Sequence, residues 1–179
     1  MVTYILLAEG FEEIEAIAPC DILRRGGVEV RFAAVGEKLV RGSHGIRVEA
    51  DCLLGDIVPE ETELIVCPGG LRGVQNLLAS DAVEKTLRAV YALEKPAAAI
   101  CAGPWVLTKA RILDGKVAVC YPGMEEHMSG KMTQAAPVQV DGRVITGRAA
   151  GAALEFGLAL LRYLRGAEKA EEVRKAIVC

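Results

Sequence analysis

Aromatic residues are scarce in this chain, 4% of the total, and no run of lysines or arginines interleaves with them. A surface that stacks bases and neutralises phosphates needs both, so with a formal net charge of −3 nucleic acid is not an expected partner. Histidine occurs only at His44 and His127, neither within a cysteine-rich ligand set, so no metal site is expected. The six cysteines (Cys20, Cys52, Cys67, Cys101, Cys120, Cys179) include no C-x-x-C pair and are too sparse for a secreted disulfide scaffold. A reducing, cytoplasmic setting is the expectation. No apolar stretch is long enough to span a bilayer, and no membrane association is expected. The opening MVTYILLAEG lacks a basic segment ahead of its apolar run and reads as a buried strand, not a signal peptide.

What the chain does have is apolar mass, 52% of 179 residues, enough for one domain over 1–179 with a sizeable core. Strand-like and helix-like segments alternate. Val2 to Ala8 is a continuous buried-strand run, followed by Ile14, Ile17, Ala18 and Ile22 at helical spacing up to Gly26-Gly27. Val28 to Val35 reads as a strand and Lys38 to Val48 as a short hairpin between glycines. Leu64 to Cys67 is another strand, ending in Pro68-Gly69-Gly70. Ser80 is the expected cap of a helix over Asp81 to Leu93, because its oxygen can accept from a free first-turn amide. Ala97–Ile100, Val117–Cys120, Val138–Val140 and Val144–Thr146 supply further strands, the last two joined by the hairpin signal Asp141-Gly142. Leu154, Leu158 and Leu161 mark the core-facing stripe of a later helix, and Glu168 to Ile177 forms a terminal one. Buried strands with helical crossovers predict an α/β fold with a doubly wound, mostly parallel sheet. Ligands in such sheets sit beyond the carboxyl ends of the strands, which directs attention to Glu9–Glu15, Pro68–Gly73, Cys101–Pro104 and Tyr121.

Among these, Ala99-Ile100-Cys101-Ala102-Gly103-Pro104 places a cysteine at a strand-to-helix turn with small neighbours, the pattern of a nucleophile elbow. Pro104 suits the first helical position, so the Cys101 thiol is expected at the positive helix end with a pKa below its free value of about 8.5. The amides of Gly70 and Ala102 can form an oxyanion hole. The other five cysteines read as small buried hydrophobes, apart from Cys179, which is expected to be exposed. Glu12, Glu13 and Glu15 crowd a helix start, where acids favour the dipole whatever the function. Topology brings that start to the edge of the sheet that carries the elbow, and periodicity does not choose among the three.

The set Ala8-Glu9-Gly10-Phe11-Glu12-Glu13-Ile14-Glu15, Pro68-Gly69-Gly70 and Ala99 to Pro104, with Asp21, Arg148 and Glu155-Phe156, resembles the ThiJ/PfpI superfamily along essentially the whole chain. The similarity is to the branch containing the Parkinson's-disease-associated protein deglycase. The resemblance implies a flavodoxin-like sandwich, a homodimer, and Cys101 as an oxidation-sensitive nucleophile. It also implies that Glu15 is the carboxylate partner, protonated and hydrogen-bonded to the sulfur. Implied activities are glutathione-independent conversion of methylglyoxal to lactate, repair of glycated groups, oxidative-stress sensing and chaperoning, with a small aldehyde or glycated substrate and no cofactor.

Where many relatives have a pocket histidine before proline, this chain has Tyr121-Pro122, and a tyrosine with a free pKa of about 10 is a poor base near neutrality. That departure leaves a second reading, a non-enzymatic sensor oxidised at Cys101. His44 and His127 read as surface residues, with His127 able to approach the pocket only from a mobile loop. A peptidase arrangement is set aside because Ala102 stands where its histidine would follow the nucleophile. An amidotransferase lacks its downstream His-x-Glu pair, and a nucleotide site at Gly69–Gly73 rests on a lone glycine-rich turn.

Overall fold

The first strand, β1 (Val2–Leu7), is buried along its whole length, as expected of a central strand covered on both faces. In the computed structural model, which describes residues 1–179, it is followed by helix α1 (Glu13–Arg25), whose C-cap is Gly26. Next come β2 (Val30–Ala34), the short strands β3 (Leu39–Arg41) and β4 (Arg47–Glu49), and β5 (Cys52–Leu53). The order continues with β6 (Thr62–Cys67), α2 (Leu71–Leu78), α3 (Asp81–Ala92) and β7 (Ala97–Ile100). After these lie α4 (Pro104–Lys109), β8 (Val117–Ala118), β9 (Lys131–Met132), β10 (Val138–Asp141), β11 (Val144–Gly147), α5 (Ala153–Arg165) and α6 (Ala167–Ala176).

Seven strands form one sheet in the order β10-β11-β7-β6-β1-β2-β5. Every pairing in it is parallel except β10 with β11, which the Asp141-Gly142 turn joins as a hairpin. Alternating side chains feed two separate cores. Ile5, Leu7, Leu64 and Val66 meet Leu23, Phe156 and Leu161 of α1 and α5 on one face. Leu6, Ile65 and Cys67 meet Val74, Leu87 and Leu107 of α2, α3 and α4 on the other. This is the doubly wound, flavodoxin-like sandwich. No helix is long and apolar enough to cross a membrane.

Several local expectations hold. Ser80 caps α3, its oxygen accepting from the Val83 amide at 3.4 Å, and the hairpin expected over Lys38 to Val48 forms as β3 and β4. Others need correction. Ile14 and Ile17 are 55% and 40% exposed, and Leu154 is 44% exposed, so these apolar residues face outward while Ala16, Cys20, Leu23, Leu158 and Leu161 carry the packing. The Val117–Cys120 run pairs only with β9 and never joins the main sheet by a ladder. It docks instead through side-chain oxygens, the Val117 amide donating to Asp141 and the Val119 amide to the buried Thr146. Helix α2 arises where the glycines at 69, 70 and 73 suggest only a loop.

Candidate active site at the strand-to-helix elbow

Cys101 follows β7 with φ at 65°, in the left-handed region that side chains other than glycine rarely adopt. The conformation is imposed by main-chain bonds on both sides of the residue. The Cys101 amide donates to the Gly147 carbonyl at 2.9 Å, and the Cys101 carbonyl accepts from the Tyr121 amide at 2.8 Å. The Gly103 amide closes the turn onto Ile100 at 2.8 Å, and Pro104 takes the first helical position of α4. Gly103 has no room for a side chain, since a Cβ there would lie 2.3 Å from the Cys67 carbonyl oxygen at the end of β6.

The three glutamates divide their tasks by helical geometry. Glu12 is the N-cap of α1, its Oε2 accepting from the Glu15 amide at 2.9 Å. Glu13 is buried and turns toward the β3–β4 hairpin, where its oxygens accept from the His44 and Ile46 amides and the Ser43 hydroxyl and pair with His44 Nδ1 at 3.0 Å. Burial alone would raise the Glu13 pKa, but these donors outweigh it and pull the carboxyl down to about 2. Glu15 is fully buried and reaches the elbow. Its Oε2 accepts from the Gly69 amide at 2.8 Å, and its carboxyl interacts with the Cys101 thiol. Oε1 has no well-formed partner. A proton on the carboxyl spares this site a buried charge with an unpartnered oxygen.

Gly69 is the spacer between acid and thiol: a Cβ there would lie 2.4 Å from Glu15 Oε2 and 2.7 Å from Cys101 Cβ. Gly70, with φ at 82°, packs its Cα against backbone, so that a Cβ would lie 2.5 Å from the Gly10 carbonyl oxygen and 2.6 Å from the Glu12 nitrogen. Gly70→Ala is expected to cost about 2–4 kcal/mol from overpacking against main chain plus left-handed strain, read as a lower urea midpoint with an unchanged slope.

Burial pushes Glu15 up to about 7, the Glu12 charge adding to it and the Cys101 and Gly69 hydrogen bonds opposing it. Burial likewise pushes Cys101 up to about 12, helped by the Glu15 charge and hydrogen bond and opposed by the amides of Ala102 and Gly70. The expected low thiol pKa is therefore corrected: desolvation and a neighbouring carboxylate outweigh the end of a six-residue helix. The two groups titrate as a pair, one proton leaving near 7 and the other held far into the alkaline range. Burial also lifts Cys67 to about 12 and Cys20 and Cys120 to about 11, so placement and not acidity distinguishes Cys101.

Tyr121 is tied to the elbow by its amide while the residue is 49% exposed. His127 is anchored by stacking on Trp105 of α4, with ring centroids 4.1 Å apart. His44 lies against Glu13, and the fold brings Glu12, Glu13 and His44 ligand atoms within 4.8 Å of one another, a cluster invisible in the sequence spacing. The Glu13 oxygens in that cluster are already occupied by hydrogen bonds from the hairpin. Sequence reasoning missed the Gly69 amide as the donor to Glu15, although the Pro68-Gly69-Gly70 turn carried its signal.

The chain matches the DJ-1/PfpI family over residues 1–163. It is 42% identical over 172 residues to DJ-1 homolog A of Arabidopsis thaliana, covering 95% of this chain and 44% of that protein, so it spans less than half of that relative. It is 36% identical to the Parkinson disease protein 7 homolog of Danio rerio over 180 residues, 97% of this chain and 95% of that one. It is also 32% identical to a deglycase of Pyrococcus abyssi over 149 residues, 82% and 89% of the two chains. Among solved structures, Drosophila melanogaster DJ-1beta superposes with a TM-score of 0.95 at 33% identity, covering 99% and 97% of the chains. An oxidised DJ-1 of Toxoplasma gondii does so at 0.92 and 34%, covering 99% and 97%. From the glutamate at the helix start to the cysteine at the elbow, this chain belongs to the DJ-1/PfpI family.

Proposed function

We propose that the chain is a cysteine-dependent enzyme acting on small reactive carbonyls, converting methylglyoxal to lactate without glutathione or releasing glycated adducts. The observation that carries this is the buried Glu15 carboxyl against the Cys101 thiol, with the Gly70 and Ala102 amides directed at the same sulfur. The deglycase among the relatives is consistent with it.

In this mechanism the Cys101 thiol gives its proton to the Glu15 carboxylate as the sulfur bonds to the aldehyde carbon, and Glu15 passes that proton to the carbonyl oxygen, giving a hemithioacetal. Glu15 then carries the proton from that carbon to the adjacent carbon while the hemithioacetal hydroxyl gives its proton to the adjacent carbonyl oxygen, so that the former aldehyde carbon is oxidised to a thioester as its neighbour is reduced to an alcohol. Water cleaves the thioester to lactate and restores the thiol. A group that titrates near 7 serves as acid and base in turn. The test is lactate formation from methylglyoxal in glutathione-free buffer, before and after alkylation of Cys101 mapped by mass spectrometry. Turnover that survives the modification overturns the mechanism.

The oxidised Toxoplasma gondii relative, and Tyr121 in place of an imidazole, favour a second reading in which Cys101 reports oxidative stress. Graded peroxide followed by peptide mass spectrometry tests it: Cys101 is expected to oxidise before the other five thiols, and its oxidising later excludes the sensor.

The same proposal includes a homodimer. Ile14, Ile17, Ala18, Ile46, Leu154 and Ile177 line one groove of about 510 Å³ where α1, the hairpin and the last helix meet. Exposed large hydrophobics gathered in one patch are what an interface between copies uses. Ile17→Arg is expected to give a monomer in analytical ultracentrifugation where the unmodified chain sediments as a dimer.

A further inference from the structure

A second concavity opens on the other side of the Gly70 turn. It measures about 540 Å³ and no apolar side chain lines it; its walls are Arg41, Arg72, Ser43, His44 and Glu9 with the backbone of Gly10, Gly42 and Gly45. The Arg72 stem lies on Gly10, and the Arg41 guanidinium lies near Gly45. A Cβ at Gly10 would fall 2.7 Å from Arg72 Cβ, and one at Gly45 would lie 3.4 Å from a terminal nitrogen of Arg41. Gly10 and Gly45 have φ of 85° and 88°, so substitution at either is strained, and at Gly10 it is crowded as well. The ion pairs formed by arginines in this chain all involve other residues, which leaves these two guanidiniums without a carboxylate partner.

Of the acids nearby, Glu9 lines the recess, and Glu12 and Glu13 both lie at His44. Glu9 Oε2 accepts from the Arg41 amide at 3.1 Å, and Glu13 is matched with His44. Two free guanidiniums in a polar recess are suited to a planar or tetrahedral oxyanion. The recess adjoins the turn that carries Gly70. Arg72 is two residues beyond Gly70, whose amide acts on the Cys101 sulfur, and Gly70 packs directly on Gly10 in the pocket wall.

We propose that this pocket holds the oxyanion, carboxylate or phosphate, of a small ligand whose electrophilic carbon reacts at Cys101. The proposal rests on Cys101 being the reacting group, and its test does not require turnover.

The test compares alkylation of Cys101 by iodoacetate, which carries a carboxylate, with alkylation by the neutral iodoacetamide. In both, sulfur bonds to the methylene carbon as iodide leaves with the bonding pair. The ratio of the two rate constants removes any general change in thiol reactivity. In Arg41→Gln/Arg72→Gln that ratio is expected to fall on the order of three- to ten-fold, while the double lysine variant keeps most of it. Inorganic phosphate at constant ionic strength is expected to lower the ratio in the unmodified chain and not in the glutamine variant. An unchanged ratio in the glutamine variant, or an equal phosphate effect in both chains, overturns the proposal. A chain that shows the arginine-dependent ratio but makes no lactate from methylglyoxal fails the enzymatic reading and retains this one.

Discussion

Replacing Cys101 with serine is expected to lower glutathione-independent lactate formation at least about a thousand-fold while leaving the urea midpoint near its original value. The separation follows from how the residue is held. Its amide and carbonyl are bonded to Gly147 and Tyr121, and these main-chain bonds are indifferent to the atom at the tip of the side chain. Serine keeps the size and the left-handed backbone but replaces a polarisable sulfur nucleophile with a hydroxyl that no nearby imidazole can activate. Lactate assay and equilibrium unfolding on the same preparation check both halves. Turnover within a few-fold of the original would remove the thiol from the reaction.

Glu15→Gln is expected to lower turnover by about 10²–10⁴-fold, the usual range for loss of a positioned acid and base, and to leave a diagnostic trace in pH. Glu15 has an ordinary value of 4.5 and a folded value of about 7, so the folded chain binds its proton more tightly than the unfolded chain does. Its contribution to stability is therefore fully present below 4.5 and is lost as pH rises through 7, amounting to roughly 3 kcal/mol across that window. The amide variant should lack this decline, so unfolding curves of the two chains diverge between those limits. Glu13 runs the opposite way. Its folded value of about 2 makes its contribution present above 4.5 and lost as pH falls toward 2, and that acid-side loss should persist in the Glu15 variant. Removing the carboxylate also removes one of the influences that lift Cys101, so the thiol should titrate below about 12, followed by thiolate ultraviolet absorbance. An unchanged thiol titration would mean that the carboxyl and sulfur are not coupled.

The sheet was legible because buried parallel strands such as Val2–Leu7 and Leu64–Cys67 are written as unbroken apolar runs, and because Asp141-Gly142 and Ser80 are local signals that nothing tertiary overrides. The outward-facing Ile14, Ile17 and Leu154 were not, since helical spacing shows a stripe without saying which of two stripes meets the sheet. Val117–Cys120 looked like a sheet strand because its apolar content is right; its acceptors turned out to be side chains of Asp141 and Thr146, a tertiary fact. At the site, Cys101 was visible from its small neighbours and Pro104. The choice of Glu15 over Glu12 and Glu13 came from family resemblance, and the structure supplies its physical basis: one caps, one pins a hairpin, one is buried at the elbow. The direction of the thiol shift was misjudged because sequence displays a helix start plainly but does not display burial or the proximity of a distant carboxyl.

The elbow at Cys101 separates address from chemistry. The position in space is specified by neighbouring main chain, by Gly103 wedged on Cys67, and by Gly69 spacing the acid, none of which depends on what occupies the tip of residue 101. A scaffold organised in this way can change its reacting atom, to oxygen or selenium or an oxidised sulfur, without rebuilding the cradle around it. Diversification of such a site would then proceed by exchanging one atom and adjusting the pocket walls, while the sheet and its turns stay as they are.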